Sequence, residues 1–195
     1  NIIPDKASDT TWEGIATTNN SWGFKSYDVD WKSPKETLYW LIANVSKGGN
    51  FLLNVGPDGS GIIPPKSVEN LLEVGKWLKV NGQAVYGTRP WKVVHEGPTD
   101  IIIKGTSHRS KSGFVFDFKP DDFWFTKKDN KVYVIALSKP KDNRILIKSL
   151  KGTAVSKISI LGISEEIVWK KKVSGLEITL PNMPNSSLGY ALEII

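Results

Sequence analysis

This 195-residue chain predicts an α/β segment followed by an all-β domain: the C-terminal part of a (β/α)8-like barrel in residues 1–90, then an antiparallel β-sandwich in residues 91–195. Three observations point to it. Residues 33–90 alternate helical periodicity with one short, unbroken apolar run, the signature of a parallel strand enclosed by helices. After Pro90, short strand-like stretches follow one another, separated by turn-forming residues. The change of period falls between Thr88 and Trp91, which sets the domain boundary there.

Residues 1–24 show little periodicity. They are rich in Thr, Asn, Ser and Gly and carry Trp12, Trp22 and Phe24. Such a stretch reads as a long loop, and the aromatics embedded in it argue for an ordered, functional one. Ser33-Pro34-Lys35-Glu36 then starts a helix: Ser33 can cap, Pro34 suits the first helical position, and Glu36 completes a capping box. Leu38, Leu41, Ile42 and Val45 share one helical face, and Gly48-Gly49 ends the helix. The run from Asn50 to Val55 predicts a strand buried on both faces. Gly56-Pro57-Asp58-Gly59-Ser60-Gly61 breaks it. A second helix begins at Ser67 or the prolines before it, with Val68, Leu71, Leu72, Gly75 and Leu78 expected toward a core and Asn81-Gly82 at its end. Two such units leave sheet edges and faces bare unless more of a barrel surrounds them.

In the second half, strands are predicted at 91–94, 113–118, 123–126, 131–137, 144–147, 155–161, 166–169, 176–180 and 189–194. Turn signals between them include Lys128-Asp129-Asn130, the segment 139–143, Pro181-Asn182 and Asn185-Ser186. Lys170-Lys171-Lys172 is expected to form a solvated turn.

Composition narrows the function. With 39% apolar and 24% charged residues the chain is an ordinary globular protein, and no stretch reaches the about 18 apolar residues of a membrane span. The absence of cysteine removes disulfides and thiolate metal sites. The net charge of +6 raises the question of nucleic acid, but the lysines are scattered and no nucleic-acid motif accompanies them. Asn1-Ile-Ile-Pro-Asp is no signal peptide, and the chain reads as beginning mid-protein. The Gly-rich stretch 56–61 lacks the Lys-Ser/Thr of a phosphate loop and the spacing of a dinucleotide fingerprint. His95 and His108 stand alone without metal-ligand spacing. No cofactor, metal, membrane or nucleic-acid partner is therefore expected.

In a barrel the chemistry lies on the loops after the strands. Glu13, beside Trp12, could be a catalytic carboxylate tuned by an apolar neighbour, or an ordinary loop ion-pair residue. Trp22-Gly23-Phe24 offers flat apolar faces suited to the C–H bonds and methyl group of a deoxy sugar, or to plain core packing. Asn54, at the end of the buried strand, either contacts substrate or holds neighbouring loops, the second being favoured. Asp58 reads as turn chemistry.

Taken together, Trp12-Glu13, Ser21-Trp22-Gly23-Phe24, the stretch from Val45 to Pro57 (VSKGGNFLLNVGP), Gly75-Lys76-Trp77-Leu78 and Asn81-Gly82-Gln83-Ala84-Val85-Tyr86-Gly87 closely resemble the family 29 glycoside hydrolases, the α-L-fucosidases, in order and spacing. The motifs cover residues 12–91, and the sandwich matches by position and character. The resemblance implies retaining, exo-acting hydrolysis of terminal α-L-fucose from glycans, by two carboxyls about 5 Å apart. It places the nucleophile, the hydroxyl-binding histidines and the usual acid/base upstream of Asn1, and leaves Glu13 as the fallback acid/base. It assigns Trp22 to the pocket for the fucose methyl, with Trp12, Phe24 and Asn54 as further substrate-binding candidates. The implied partners are a fucosylated glycan and the N-terminal part of the same enzyme. Homo-oligomerisation and compartment stay open, since family members are lysosomal, periplasmic, secreted or cytoplasmic. The alternative is a non-catalytic carbohydrate-binding or accessory fragment, with Trp91, Trp124 or Trp169 on the sandwich binding sugar.

Overall fold

The computed structural model describes residues 3–99, 117–183 and 188–195. The chain begins with a parallel β/α unit: β1 (Glu13–Thr17), α1 (Pro34–Val45), β2 (Asn50–Asn54) and α2 (Pro65–Asn81). β1 and β2 pair in parallel, with Glu13 opposite Asn50 and Thr17 opposite Asn54. α1 starts as its sequence dictates: Ser33 Oγ accepts the Glu36 amide at 3.1 Å, and Pro34 occupies the first turn. Leu38 and Ile42 are fully buried on its inner face, and Trp40 stacks on Phe51 of β2.

Three expectations for this half need correction. Residues 1–24 are not one long loop, because Glu13–Thr17 form β1, which the pairing with β2 holds extended. β2 is not enclosed: Leu52 is 45% exposed. Burial on both faces requires cover on both faces, and here α1 covers only the one that carries Phe51 and Leu53. Glu13, Ile15 and Thr17, with Asn50, Leu52 and Asn54, share the other face by register and strand period. In α2 the buried positions are Ser67, Asn70, Val74, Trp77 and Asn81, whereas Val68 and Leu72 are exposed. The apolar stripe that the periodicity picks out is therefore docked only at its end, where Leu78 packs against the core. Hydrogen-bonding residues share the inner face with the core residues Val74 and Trp77: Asn81 Oδ1 accepts the Ala191 amide at 3.1 Å, and Trp77 Nε1 donates to Gly189 O at 3.0 Å.

A short 3-10 turn, Gly82–Ala84, leads into the β region. β3 (Arg89–Glu96), β4 (Phe123–Lys128), β5 (Lys131–Ala136), β6 (Arg144–Ile147), β7 (Ile158–Ile160), β8 (Val168–Lys172), β9 (Gly175–Thr179) and β10 (Tyr190–Ile194) follow. They form a five-stranded sheet ordered β3-β4-β5-β10-β7 and a three-stranded sheet ordered β6-β9-β8, paired antiparallel throughout. The two sheets face each other across a core that includes Phe123, Phe125, Val134, Ile147, Ile178 and Leu192. The β4–β5 hairpin turns on Asp129-Asn130, with Asp129 at φ 55°. The strand expected at 113–118 lies outside the described residues at 113–116, and Phe118 is buried in non-strand backbone. His108 and the turn at Asn185-Ser186 also lie outside them. Lys170-Lys171-Lys172 is not a turn but the end of edge strand β8.

The larger sheet is covered on both faces. Trp124, Tyr133, Ile135, Leu137 and Ala191 turn away from the sandwich interior and pack with Leu38, Tyr39, Trp77, Ala84 and Val85. Tyr39 and Phe118 both approach Trp124 edge-on, at 5.7 and 5.4 Å between ring centroids. Thr126 Oγ1 donates to Ala84 O at 2.7 Å across the same junction. No helix of the described residues is long and apolar enough to cross a membrane.

Candidate functional site

The carboxyl ends of β1 and β2 carry a loop cluster whose parts hold one another. Past Thr17 the chain makes the excursion 18–32 before α1; past Asn54 it makes the turn 55–61. The Thr18 amide donates to Asn54 O at 3.1 Å, and Asn54 Nδ2 donates to Trp22 O at 2.8 Å. Gly56 seats the same loop: a Cβ there would lie 3.0 Å from Gly23 C and 3.1 Å from the Phe24 nitrogen. Trp22 and Phe24 are thus fixed through their backbones while their rings stay about half exposed, at 52% and 47%. Asp28 braces the far side of the excursion, accepting from Asn19 Nδ2 at 2.9 Å and from the Asp30 amide at 3.1 Å. The turn after β2 is tied by Asp58, whose Oδ1 accepts from the amides of Ser60 and Ile62 and from the Ser60 hydroxyl. The Ile62 amide foremost, then the Ser60 hydroxyl, hold its carboxyl below the ordinary range. Such a cluster presents two rigidly mounted aromatic faces, with an amide-bearing strand end behind them.

The five candidate residues do not converge. Trp22, Phe24 and Asn54 meet at the carboxyl ends of the strands, with Asn54 acting through the loop backbone. Glu13 opens β1 at the opposite end, four residues from Thr17, or about 13 Å at a strand's rise of about 3.3 Å per residue. Trp12 stands with it. Its indole covers Gly49, where a Cβ would come within 2.5 Å of the ring, and its Nε1 donates to Lys47 O at 3.4 Å. The expectation that Trp12 and Glu13 share a site with Trp22 is corrected by strand direction: residues that enter a parallel strand and residues that leave it lie on opposite faces of the fold.

On the sandwich, Trp124 is buried, Trp91 packs at 5.2 Å on Phe125, and Trp169 lies partly buried against the inter-sheet core. All three indoles pack on the hydrophobic core, Trp124 fully and the other two in part. His95, in β3, lies 4.9 Å from the Trp124 ring.

Sequence reasoning passed over the residues that close the loop at its base. Thr18, Asn19, Lys32, Ser67 and Asn70 are all buried. Ser67 Oγ donates to Thr18 Oγ1 at 2.8 Å, and Asn70 Nδ2 to Lys32 O at 2.6 Å. The available signal was the helical spacing of the polar residues Ser67, Asn70 and Asn81 with Val74 and Trp77.

Fold and loop together define a β/α layer with an aromatic loop at its strand ends, docked on a β-sandwich, and known proteins share this arrangement. Residues 1–83 match the family described as alpha-L-fucosidase, and residues 117–194 match the alpha-L-fucosidase C-terminal domain. The tissue alpha-L-fucosidase of Rattus norvegicus is 34% identical over 93% of this chain and 36% of its own length. The human tissue enzyme is 33% identical over 95% and 36%. Among solved structures, Thermotoga maritima alpha-fucosidase superposes with a TM-score of 0.79 at 29% identity, over 98% of this chain and 41% of that one. Alpha-L-fucosidase isoenzyme 1 from Paenibacillus thiaminolyticus gives 0.76 at 25% identity, over 99% and 43%. The Thermotoga protein has also been solved in complex with fucose. The chain belongs to the α-L-fucosidase family. It spans a little over a third of the length of the curated relatives it matches.

Proposed function

We propose that this chain is the C-terminal portion of a retaining, exo-acting α-L-fucosidase. In this reading β1, α1, β2 and α2 are the closing units of the catalytic (β/α) barrel. Upstream sequence supplies the nucleophile and the acid/base, about 5 Å apart. It also covers the bare face of β2 and the apolar stripe Val68, Leu71 and Leu72 of α2. The observation that carries the reading is the Trp22-Gly23-Phe24 loop, pinned by Asn54 and Gly56 at the strand ends with its aromatic faces open.

The chemistry asked of this chain is binding and orientation. Fucose carries a methyl group where galactose of the same absolute series carries a hydroxymethyl group. An indole wall accepts the methyl and leaves the extra hydroxyl without a hydrogen-bond partner. Apolar pockets discriminate such pairs by only about 100-fold. Seating the sugar against Trp22 would hold its anomeric carbon in line with the upstream nucleophile, and binding energy gained at a non-reacting methyl then lowers the barrier at the reacting carbon.

In the complete enzyme, Trp22→Ala should lose about 1–3 kcal/mol of methyl burial and packing. It should raise KM for aryl α-L-fucosides and narrow their preference over α-L-galactosides. Measuring kcat/KM for both sugars decides it, and an unchanged ratio would refute the pocket role. By the same reading the 195-residue chain alone gives no turnover of an aryl α-L-fucoside.

A further inference from the structure

Among the described residues Lys32 is the one lysine that is buried, and a lysine is rarely taken out of water without a task for its ammonium. Its place in the fold supplies one. Residues 19–31 form a loop whose two ends meet at Thr18 and Lys32. The Lys32 amide donates to Thr18 O at 2.9 Å, closing the neck through the backbone. The Lys32 ammonium reaches back to Asn19 O at 3.2 Å, closing it a second time through the side chain. That carbonyl also accepts the Thr17 hydroxyl. The neck is then anchored to α2 from both sides, by Asn70 Nδ2 on Lys32 O and by Ser67 Oγ on Thr18 Oγ1.

We infer that Lys32 is a positioning residue for the sugar-binding loop: its buried ammonium fixes the loop's departure from β1 and so the placement of Trp22 and Phe24. The inference rests on the proposed fucosidase reading for its consequence in catalysis, but not for its structural content. A hydrogen bond from a charged donor is stronger than one between neutral groups. It sits where the chain's direction is set, before the loop turns outward. Asn54 and Gly56 hold the loop at Trp22, Gly23 and Phe24 and Asp28 braces it internally, so Lys32 supplies the hold at the base that fixes how the whole loop leaves β1. The ammonium is buried on Asn19 O at the neck, so it acts through the loop.

The test uses the complete enzyme with Lys32→Met, which keeps an unbranched stem and removes the charge, and with Asn70→Ala, which removes one of the neck's two anchors to α2 and leaves the ammonium in place. KM for an aryl α-L-fucoside should rise at least about tenfold in Lys32→Met, the factor that losing one charged hydrogen bond corresponds to, with kcat nearly unchanged. Asn70→Ala should move KM in the same direction by less. Hydrogen exchange should quicken in residues 19–31 of both variants and stay as in the wild type across β4 and β5. Unchanged KM with unchanged exchange in residues 19–31 overturns the inference. Faster exchange throughout, with KM unmoved, overturns it in favour of a merely stabilising lysine. If the wild-type enzyme does not turn over α-L-fucosides, the functional reading falls, and the exchange pattern alone then decides the role of Lys32.

Discussion

Tyr133 shows how one side chain records the covering of the large sheet. Its ring is buried under the helices, and its hydroxyl donates to Glu193 Oε2 at 3.1 Å, beside the Lys131 ammonium at 2.9 Å from the same oxygen. Burial first, then the hydrogen bond and charge of Glu193, push the phenol up to about 12. The folded state therefore favours the neutral phenol. That preference contributes its full stability below the unfolded value of about 10 and loses it as pH rises from about 10 to about 12. The difference in Tm between the wild type and Tyr133→Phe should be constant up to about pH 10 and shrink above it. Tyr190, which burial raises further still, contributes equally to both proteins and cancels. A Tm difference independent of pH across that window would mean that the phenol does not titrate with folding.

Among elements, β8 is the one whose sequence conflicts most with its structure. Three consecutive lysines form most of a strand at the edge of the small sheet. Lys170 and Lys172 project to the outer face and reach Glu177 at 2.7 and 3.7 Å. Exposed pairs of this kind contribute less than about 1 kcal/mol, so stability does not explain the lysines. The edge does: among the described residues β8 has no strand on its outer side, with Val168 and Val173 exposed nearby, and lysines on such an edge oppose pairing with a second chain. The double variant Lys170→Val/Lys172→Val should keep a Tm close to the wild type yet self-associate in light scattering at concentrations where the wild type does not. Unaltered scattering would remove the edge-protection role. α2 makes the opposite point about elements. Val68 and Leu72 face out while a mixed face of Ser67, Asn70, Val74, Trp77 and Asn81 faces in, because helix docking here is set by hydrogen bonds to β10 and to the loop neck as well as by apolar area.

For the whole molecule, the junction between the β/α unit and the sandwich matters most. The sandwich has its own inter-sheet core, and its strands satisfy one another. The β/α unit has no comparable core of its own, since much of what α1 and α2 bury lies against the large sheet. A fragment of residues 88–195 should therefore fold alone. It should unfold at lower urea than the full chain and bind a hydrophobic dye, because Trp124, Ile135 and Leu137 lose their cover. A fragment of residues 1–87 should show no cooperative transition. A cooperative melt of the shorter fragment, or equal urea midpoints for the longer fragment and the full chain, would show that the junction carries little of the stability.

What was legible in the sequence was local. The N-cap at Ser33, the glycine stop at Gly48-Gly49, the hairpin at Asp129-Asn130 and most strand positions follow from short-range chemistry, which the residues themselves carry. The run from Tyr133 to Leu137 reads in sequence only as a sandwich strand; that it is buried on both faces is set by the helices that cover the large sheet. Asn54 was legible as an amide at the end of its strand that holds a neighbouring loop, whereas the aromatics Trp22 and Phe24 suited sugar contact and core packing equally. Tertiary structure decided the rest, because position along the chain does not specify which end of a strand, or which face of a helix, meets a neighbour. Strand direction separated Trp12 and Glu13 from Trp22. Docking turned α2 onto its mixed face, and a lysine unremarkable in sequence became buried once α2 closed over the neck of the loop.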